Sequence, residues 1–206
     1  MERSTVRTSL IKILQRAYSG EKAAALAYRG HWKSLSEADE IARIRRIEAE
    51  EWTHRAIVGR MLNALEAKPV RSREMASWAI GRLVGLLCHI SGWFLAMYFA
   101  GKLESANTEE YGGAAALAGM LDLTEFYREL MAMSVVEKEH EMFFLNMASG
   151  HRAFPMCTRL FRWGGASPER TGCAGASRSE RDFVPRSMGP VQTALVDARV
   201  LSNSVK

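Results

Sequence analysis

Apolar side chains recur every three or four residues along several long segments of the chain, a period typical of amphipathic helices. The first predicted helix runs from about Thr8 to His31 or Trp32. The second opens after Ser36, its predicted N-cap, and continues to about Ala67, where a Lys-Pro-Val sequence stops it. No segment shows the two-residue alternation of a half-buried strand. The pattern therefore predicts an all-α fold.

The longest apolar region follows, over residues 72–120, and is predicted to contain a short segment and then a third long helix. Residues 83–100 are almost uncharged, and this length is at the lower limit for a membrane span. Because the run includes His89 and several glycines, we interpret it as a buried helix, or one partly embedded in a membrane surface, rather than as a span. A fourth helix is predicted over residues 122–147.

The composition changes after Gly150, where Gly, Ser, Arg and Pro dominate and no helical period continues. Such a composition is typical of segments that cannot bury enough apolar surface to fold. We therefore predict a helical bundle over residues 1–165 and a disordered tail over residues 166–206.

Composition and charge narrow the functional classes only a little. The 206 residues are 48% hydrophobic and 25% charged, which is ordinary for a globular protein. Much of the formal net charge of +5 lies after residue 150, and the basic tail over residues 166–206 contains only one aromatic residue, Phe183, so we expect no nucleic-acid partner. The three cysteines form no C-x-x-C pair, which argues against a rubredoxin-type iron site and favours a reducing cytoplasm.

Carboxylates and imidazoles interrupt the apolar faces of the second and fourth predicted helices. Glu51 with His54, and Glu137 with His140, form two E-x-x-H motifs on these faces. A buried, ionised carboxylate costs several kcal/mol unless it is paired or bound to a metal. In ferritin-like bundles, two helices each contribute Glu-x-x-His and two others each contribute one Glu to a dinuclear metal centre. The two motifs therefore predict a ferritin-like four-helix bundle with extra short helices.

That arrangement requires one further buried glutamate in each of the other two long helices. Glu21 shares the apolar face of Leu14 in the first helix. In the third helix Glu104 and Glu110 both continue apolar faces and remain alternatives, whereas Glu109 follows a more polar row. Open carboxylate and imidazole sites that bind oxygen favour iron over manganese.

We interpret the other polar residues of the apolar segments as parts of the packed core rather than of the metal site. Because His31, His89 and His151 have no motif partner, we do not assign them to the metal site. Tyr28 and Tyr111 are interpreted as packing residues rather than as substrate-side or redox groups.

Three functions are compatible with a predicted site of this kind. The first is an oxygen-activating hydroxylase. The second is a ferritin-like or rubrerythrin-like iron protein with a storage or peroxide-scavenging role or another substrate. The third is a structural helical bundle that has lost its metal. An alternative interpretation of the two motifs themselves is that Glu51 and Glu137 are surface residues, while the histidines are core residues with satisfied hydrogen bonds.

The first half of the chain resembles the demethoxyubiquinone hydroxylase family. In "SGEKAAALAYRGH", residues 19–31, Glu21, Tyr28 and Gly30 are in register with the helix-one signature of the family, A-G-E-Y-G-A followed by Tyr and Gly. "EEWTH" resembles the E-x-x-H of its second helix. The segment "LEAKPVRSREMASWAIG" resembles the R-P-x-x-x-x-P-x-W segment that follows, with matches at Pro69 and Trp78.

The second half continues the resemblance, which covers about residues 10–165. "KLESANTEEY" resembles the V-E-E-S-x-x-x-H-Y stretch and matches Glu104 to a ligand glutamate, and "EKEHE" matches the last E-x-x-H. Two positions depart from the family pattern. Tyr18 stands where the family has a histidine before A-G-E, and Glu109-Glu110-Tyr111 stands in place of its His-Tyr pair.

The resemblance implies an iron-dependent monooxygenase of ubiquinone biosynthesis that hydroxylates a demethoxyubiquinol-type ring with oxygen and electrons from an unidentified donor. It implies a tunnel for the quinone head and a peripheral contact of the apolar third-helix run with the cytoplasmic side of the cell membrane. A homodimer is compatible with it. The implied ligands of two iron ions, whose carboxylates would carry the metal-centred catalysis, are Glu21, Glu51, His54, Glu104, Glu137 and His140.

Overall fold

The computed structural model describes residues 2–165, and over that range the chain forms helices without any strand. The all-α helical bundle predicted from the sequence is confirmed. The predicted disordered tail, residues 166–206, lies outside the described residues. The helices are α1 (Arg3–Lys33), α2 (Ala38–Ala64), α3 (Arg71–Ser91), α4 (Trp93–Met120), α5 (Thr124–Ser149) and α6 (Phe154–Phe161).

The four long helices α1, α2, α4 and α5 enclose two apolar clusters. Helix α1 packs against α2, α3 and α4, while α4 packs along α5 and α2 also contacts α5. Side chains buried in the first cluster include Leu10, Leu14, Val58, Met61 and Leu130. Side chains buried in the second include Tyr28, Ile44, Met97, Tyr98 and Phe144. On each of these helices the two clusters occupy different segments, and the predicted metal ligands lie between them in sequence.

Helix ends differ from the sequence-based expectations in ways that local chemistry explains. Helix α1 begins before Thr8 and continues unbroken through Gly20 because its buried side chains recur on both sides of that glycine. The predicted N-cap at Ser36 is wrong. Helix α2 begins after Glu37, which makes no side-chain capping bond, and Asp39 in the first turn faces the positive end of the helix dipole instead.

The apolar run over residues 83–100 is divided between two helices. Gly92 separates α3 from α4 with a φ of 78°, a conformation that favours glycine. The α4 part is largely buried, but the expectation of a buried helix is wrong for α3, where Leu83 is 56% and Ile90 is 76% exposed. Within residues 2–165, no helix combines the length and the apolar character that crossing a membrane requires.

Glycines allow α3 to lie against α1 at backbone distance. A β-carbon at Gly30 of α1 would overlap the backbone of Gly85 in α3, and one at Gly81 would overlap Ala23. Gly81 and Gly85 are the only buried residues of α3. The attachment of α3 to the bundle therefore depends on this close approach. The same contact sets the separation of α1 and α3 beside the cavity described below.

We expect Gly30→Ala to lower the free energy of unfolding by about 1–3 kcal/mol, because the added methyl group overpacks a backbone contact. Urea denaturation followed by circular dichroism measures this change. Gly20→Ala is the matched control in the same helix. Its β-carbon would meet no atom within 4 Å, so a gain of about 0.5–1 kcal/mol from helix propensity is expected. Equal effects of the two substitutions would contradict the close contact.

Candidate metal centre

The structure brings the six predicted residues together in the interior of the bundle. Each is at most 4% exposed to solvent. Their ligand atoms fall into two overlapping groups, and within each group the atoms lie within 4.8 Å of one another. One group comprises Glu21, Glu51, His54 and Glu137, and the other comprises Glu51, Glu104, Glu137 and His140.

The overlap divides the six residues into shared and separate donors. Glu51 and Glu137 belong to both groups, so each can supply one oxygen to either of two ions. Glu21 with His54 then completes one site, and a second Glu and His complete the other. Four carboxylates also balance the charge of two divalent cations, which removes the electrostatic reason against burying them.

The structure distinguishes between the two glutamates that sequence analysis left as alternatives in the third long helix. Glu104 is fully buried within the cluster. Glu110 lies outside it and accepts a hydrogen bond from the guanidinium of Arg16 at 3.0 Å. The two positions are six residues apart on α4, so their side chains do not share a face.

Several polar atoms of the cluster are buried without a hydrogen-bond partner. Within residues 2–165, Glu21 Oε2, both oxygens of Glu51, Glu137 Oε1, and Nδ1 of both His54 and His140 are buried without a hydrogen-bond partner. His54 Nδ1 lies 2.8 Å from Glu137 Oε1, but the two are not aligned for a hydrogen bond. Buried polar groups are normally satisfied, and carboxylate oxygens and imidazole nitrogens are good ligands for iron. The donor set therefore fits a pair of metal ions.

Burial shifts the pKa values of these groups in the directions that favour their neutral forms. Burial is the largest cause of the raised pKa of Glu21. Burial also raises the pKa values of Glu51 and Glu104 well above their ordinary range. Repulsion from neighbouring carboxylates adds to the increase for Glu51. Burial also raises the pKa of Glu137 to about 7 and lowers that of His54, which keeps the imidazole neutral and its lone pair free.

Two residues that support the cluster were missed by sequence analysis. Glu50 Oε2 lies 2.7 Å from Nε2 of His140, whose other nitrogen faces the cluster, an arrangement that orients metal-binding histidines. Asn107 donates hydrogen bonds to Glu104 at 3.2 Å and to Glu137 at 3.5 Å. The spacing of Asn107, three residues after Glu104, was a usable signal, whereas Glu50 lies on a more exposed side of α2.

Two buried tyrosines donate to the carboxylates, so their interpretation as packing residues was incomplete. The hydroxyl of Tyr28 donates to Glu104, and that of Tyr111 donates to Glu21. Burial, followed by repulsion from the nearby carboxylates, raises the pKa of each phenol well above its ordinary value. Both phenols therefore remain protonated and hold one oxygen of each carboxylate in place.

An apolar cavity lies beside the cluster, between α1, α3 and α4. Its volume is about 370 Å³, and Tyr28 and His31 are its most buried lining residues. Because Tyr28 also contacts Glu104, the tyrosine ring stands between the cavity and the carboxylates. The rest of the wall is mostly aliphatic and aromatic, including Leu87, Leu95 and Phe99.

Comparisons of the chain with protein-family models, curated proteins and solved structures find no match. The assignment of this site therefore depends on its own geometry. The structure supports a helical bundle with a buried Glu/His cluster that can bind metal ions.

Proposed function

We propose that this protein is a di-iron monooxygenase that hydroxylates an aromatic ring, with a demethoxyubiquinol-type quinol as its substrate. The observation that carries the proposal is the convergence of four glutamates and two histidines, with unpaired buried oxygens and nitrogens, next to an apolar cavity. The overall reaction converts a ring C–H bond and O₂ into C–OH and water, and it consumes two electrons and two protons. The resemblance to the demethoxyubiquinone hydroxylase family supports the substrate class.

Each part of the site has a defined role in this proposal. A pair of iron ions, when bound, supplies the reductive activation of O₂. Glu51 and Glu137, which belong to both ligand groups, would each contribute an oxygen to the metal pair, and Glu21, His54, Glu104 and His140 would complete the ligand set. Tyr28 and Tyr111 keep Glu104 and Glu21 oriented through hydrogen bonds. The apolar cavity binds a ring and orients it beside the metal site.

The cavity favours a hydroxylase over the storage or peroxide-scavenging alternative. An iron store and a peroxidase act on small polar species, and neither requires an apolar cavity beside the metal. A cavity of about 370 Å³ walled by Leu87, Leu95 and Phe99 fits an organic substrate better. A lipid-like substrate would also connect with the exposed apolar residues of α3, which supports peripheral membrane contact as part of the proposal.

Turnover of a reduced quinol tests the proposal. The full chain is loaded with ferrous iron without oxygen and given a short-chain demethoxyubiquinol, a chemical reductant and ¹⁸O₂. We expect a hydroxylated quinol that contains one ¹⁸O atom, detected by mass spectrometry. Ala27→Phe, which places a ring in the cavity, should abolish turnover and leave iron content unchanged.

The matched control is Ala42→Phe on the exposed side of α2, which should keep full activity. If the iron-loaded protein neither binds nor hydroxylates the quinol, the substrate assignment fails and the metal centre remains. If Ala27→Phe is as active as the unchanged protein, the cavity is not the substrate site.

A further inference from the structure

One nitrogen at the inner end of the apolar cavity has no partner. His31 of α1 is 2% exposed and lines the cavity, and within residues 2–165 its Nε2 atom makes no hydrogen bond. The imidazole ring stacks with Tyr28 and Phe144 at centroid distances of 6.5 and 6.1 Å. These contacts fix the plane of the ring but leave the nitrogen unsatisfied. His31 is not among the six residues of the metal cluster.

The chemistry of His31 suits recognition of a neutral oxygen. Burial lowers the pKa of the imidazole to about 4, so the ring is uncharged at neutral pH. An uncharged imidazole nitrogen either accepts a hydrogen bond from a hydroxyl or donates one to a carbonyl. Leaving such an atom buried and unpaired is unfavourable, and a ligand that pairs with it recovers that loss.

The other residues that line the cavity offer few hydrogen-bonding groups to a polar ligand atom. The hydroxyl of Tyr28 is already committed to Glu104. Ser91 is exposed, and Cys88 carries only a weak hydrogen-bonding group. A ligand with an apolar body and one oxygen therefore finds its best hydrogen-bond partner at His31. The near-parallel rings of Tyr28, His31 and Phe144 place aromatic surface beside that position.

We propose that His31 is the specificity-determining anchor of the cavity and selects, among apolar aromatic molecules, those with a hydroxyl group on the ring. This inference rests on the proposed function in one respect only, since it takes the cavity to be the substrate site. His31 acts by pairing with the substrate oxygen and takes no part in binding the metal. Selection by His31 would orient a phenolic ring with its oxygen at the histidine end of the cavity.

A pair of matched probes tests the anchor without turnover. Isothermal titration calorimetry on the full chain compares 4-pentylphenol with pentylbenzene, which differ only in the hydroxyl group. We expect the unchanged protein to bind the phenol at least about tenfold more tightly, as one recovered hydrogen bond allows. His31→Phe should bring the ratio of the two dissociation constants close to one. His31→Gln keeps a hydrogen-bonding group and should keep most of the preference.

His89→Phe is the matched control, because His89 is exposed on α3 outside this cavity, and its ratio should not change. The proposal is overturned if the unchanged protein shows no preference, if His31→Phe keeps it, or if Ser91→Ala removes it instead. Circular dichroism of His31→Phe and His31→Gln confirms folding before titration. If His31→Phe does not fold, His31→Leu replaces it as the variant that lacks a hydrogen-bonding group.

Repeating the titrations with and without ferrous iron separates this inference from the proposed function. A protein that prefers the phenol through His31 but binds no iron would refute the di-iron monooxygenase and leave the anchor intact. An iron-loaded, active protein whose His31→Phe variant still discriminates between the probes would refute the anchor alone.

Discussion

Glu51→Gln and Glu137→Gln are each expected to abolish binding of the metal pair and to stabilise the metal-free protein. Both residues belong to both groups of ligand atoms, so a neutral amide at either position removes an oxygen anion from both metal positions. Burial raises the pKa of Glu137 to about 7, so ionising it in the folded, metal-free chain costs free energy at neutral pH. Removing that charge should raise the free energy of unfolding by about 2 kcal/mol.

The sign of this stability change follows from proton binding. In the unfolded chain Glu137 ionises near its ordinary pKa, whereas in the folded chain burial raises the value to about 7. The folded, metal-free protein therefore holds the extra proton and loses stability as the pH rises between the two values. The glutamine variant lacks this loss, so its advantage should grow as the pH increases toward 7.

Metal content by mass spectrometry and urea denaturation in the presence of a chelator measure the two effects. Glu139→Gln is the matched control, because Glu139 is exposed on the same helix as Glu137. It should change neither the metal content nor the stability. Retention of two ions by the Glu51 and Glu137 variants would refute the shared-ligand arrangement.

Removal of metal is the second change with a large expected effect. An ion that binds only the folded chain stabilises it by about 2.7 kcal/mol at one hundred times its dissociation constant. For a chain of this size that corresponds to a rise in the melting temperature of roughly 5–10 °C per bound ion. We therefore expect ferrous iron, added without oxygen to the chelator-treated protein, to raise the melting temperature by at least that amount.

Differential scanning calorimetry at increasing iron concentration gives this shift. His54→Ala and His140→Ala should each reduce it, because each removes the nitrogen donor of one metal position. His89→Ala, at an exposed histidine of α3, should leave it unchanged. An identical rise in a Glu51→Gln/Glu137→Gln double variant would mean that iron stabilises the protein from another position.

Much of the site could be predicted from residue spacing. A step of three residues places Glu51 beside His54, and Glu137 beside His140, on one face of each helix whatever the rest of the fold. The apolar neighbours of those faces predicted burial, and burial of carboxylates predicted a metal. Spacing could not distinguish Glu104 from Glu110, since both follow apolar residues of the same helix. Only the packing of α4 against α5 places Glu104 inside the cluster.

Residues that act through long-range contacts could not be predicted from the sequence. Glu50 contacts His140 across ninety positions of the chain, and no local pattern contains that pairing. In the sequence, the apolar residues around His31 do not distinguish it from a residue that only packs in the core. Its unpaired nitrogen becomes apparent only when the cavity between α1, α3 and α4 is known. Both cases depend on which helices become neighbours, and the period of a helix does not encode that.

The sequence by itself determined the helical fold, the buried faces of α1, α2 and α5, and a candidate metal-ligand set with a single ambiguity. These follow from the 3.6-residue period, which relates each side chain to its own helix. Only the tertiary structure decided that α3 carries its apolar residues on the surface, that Gly92 divides the apolar run, and that a cavity adjoins the cluster. An apolar residue looks the same in sequence whether a neighbouring helix covers it or not, so its burial is a property of packing.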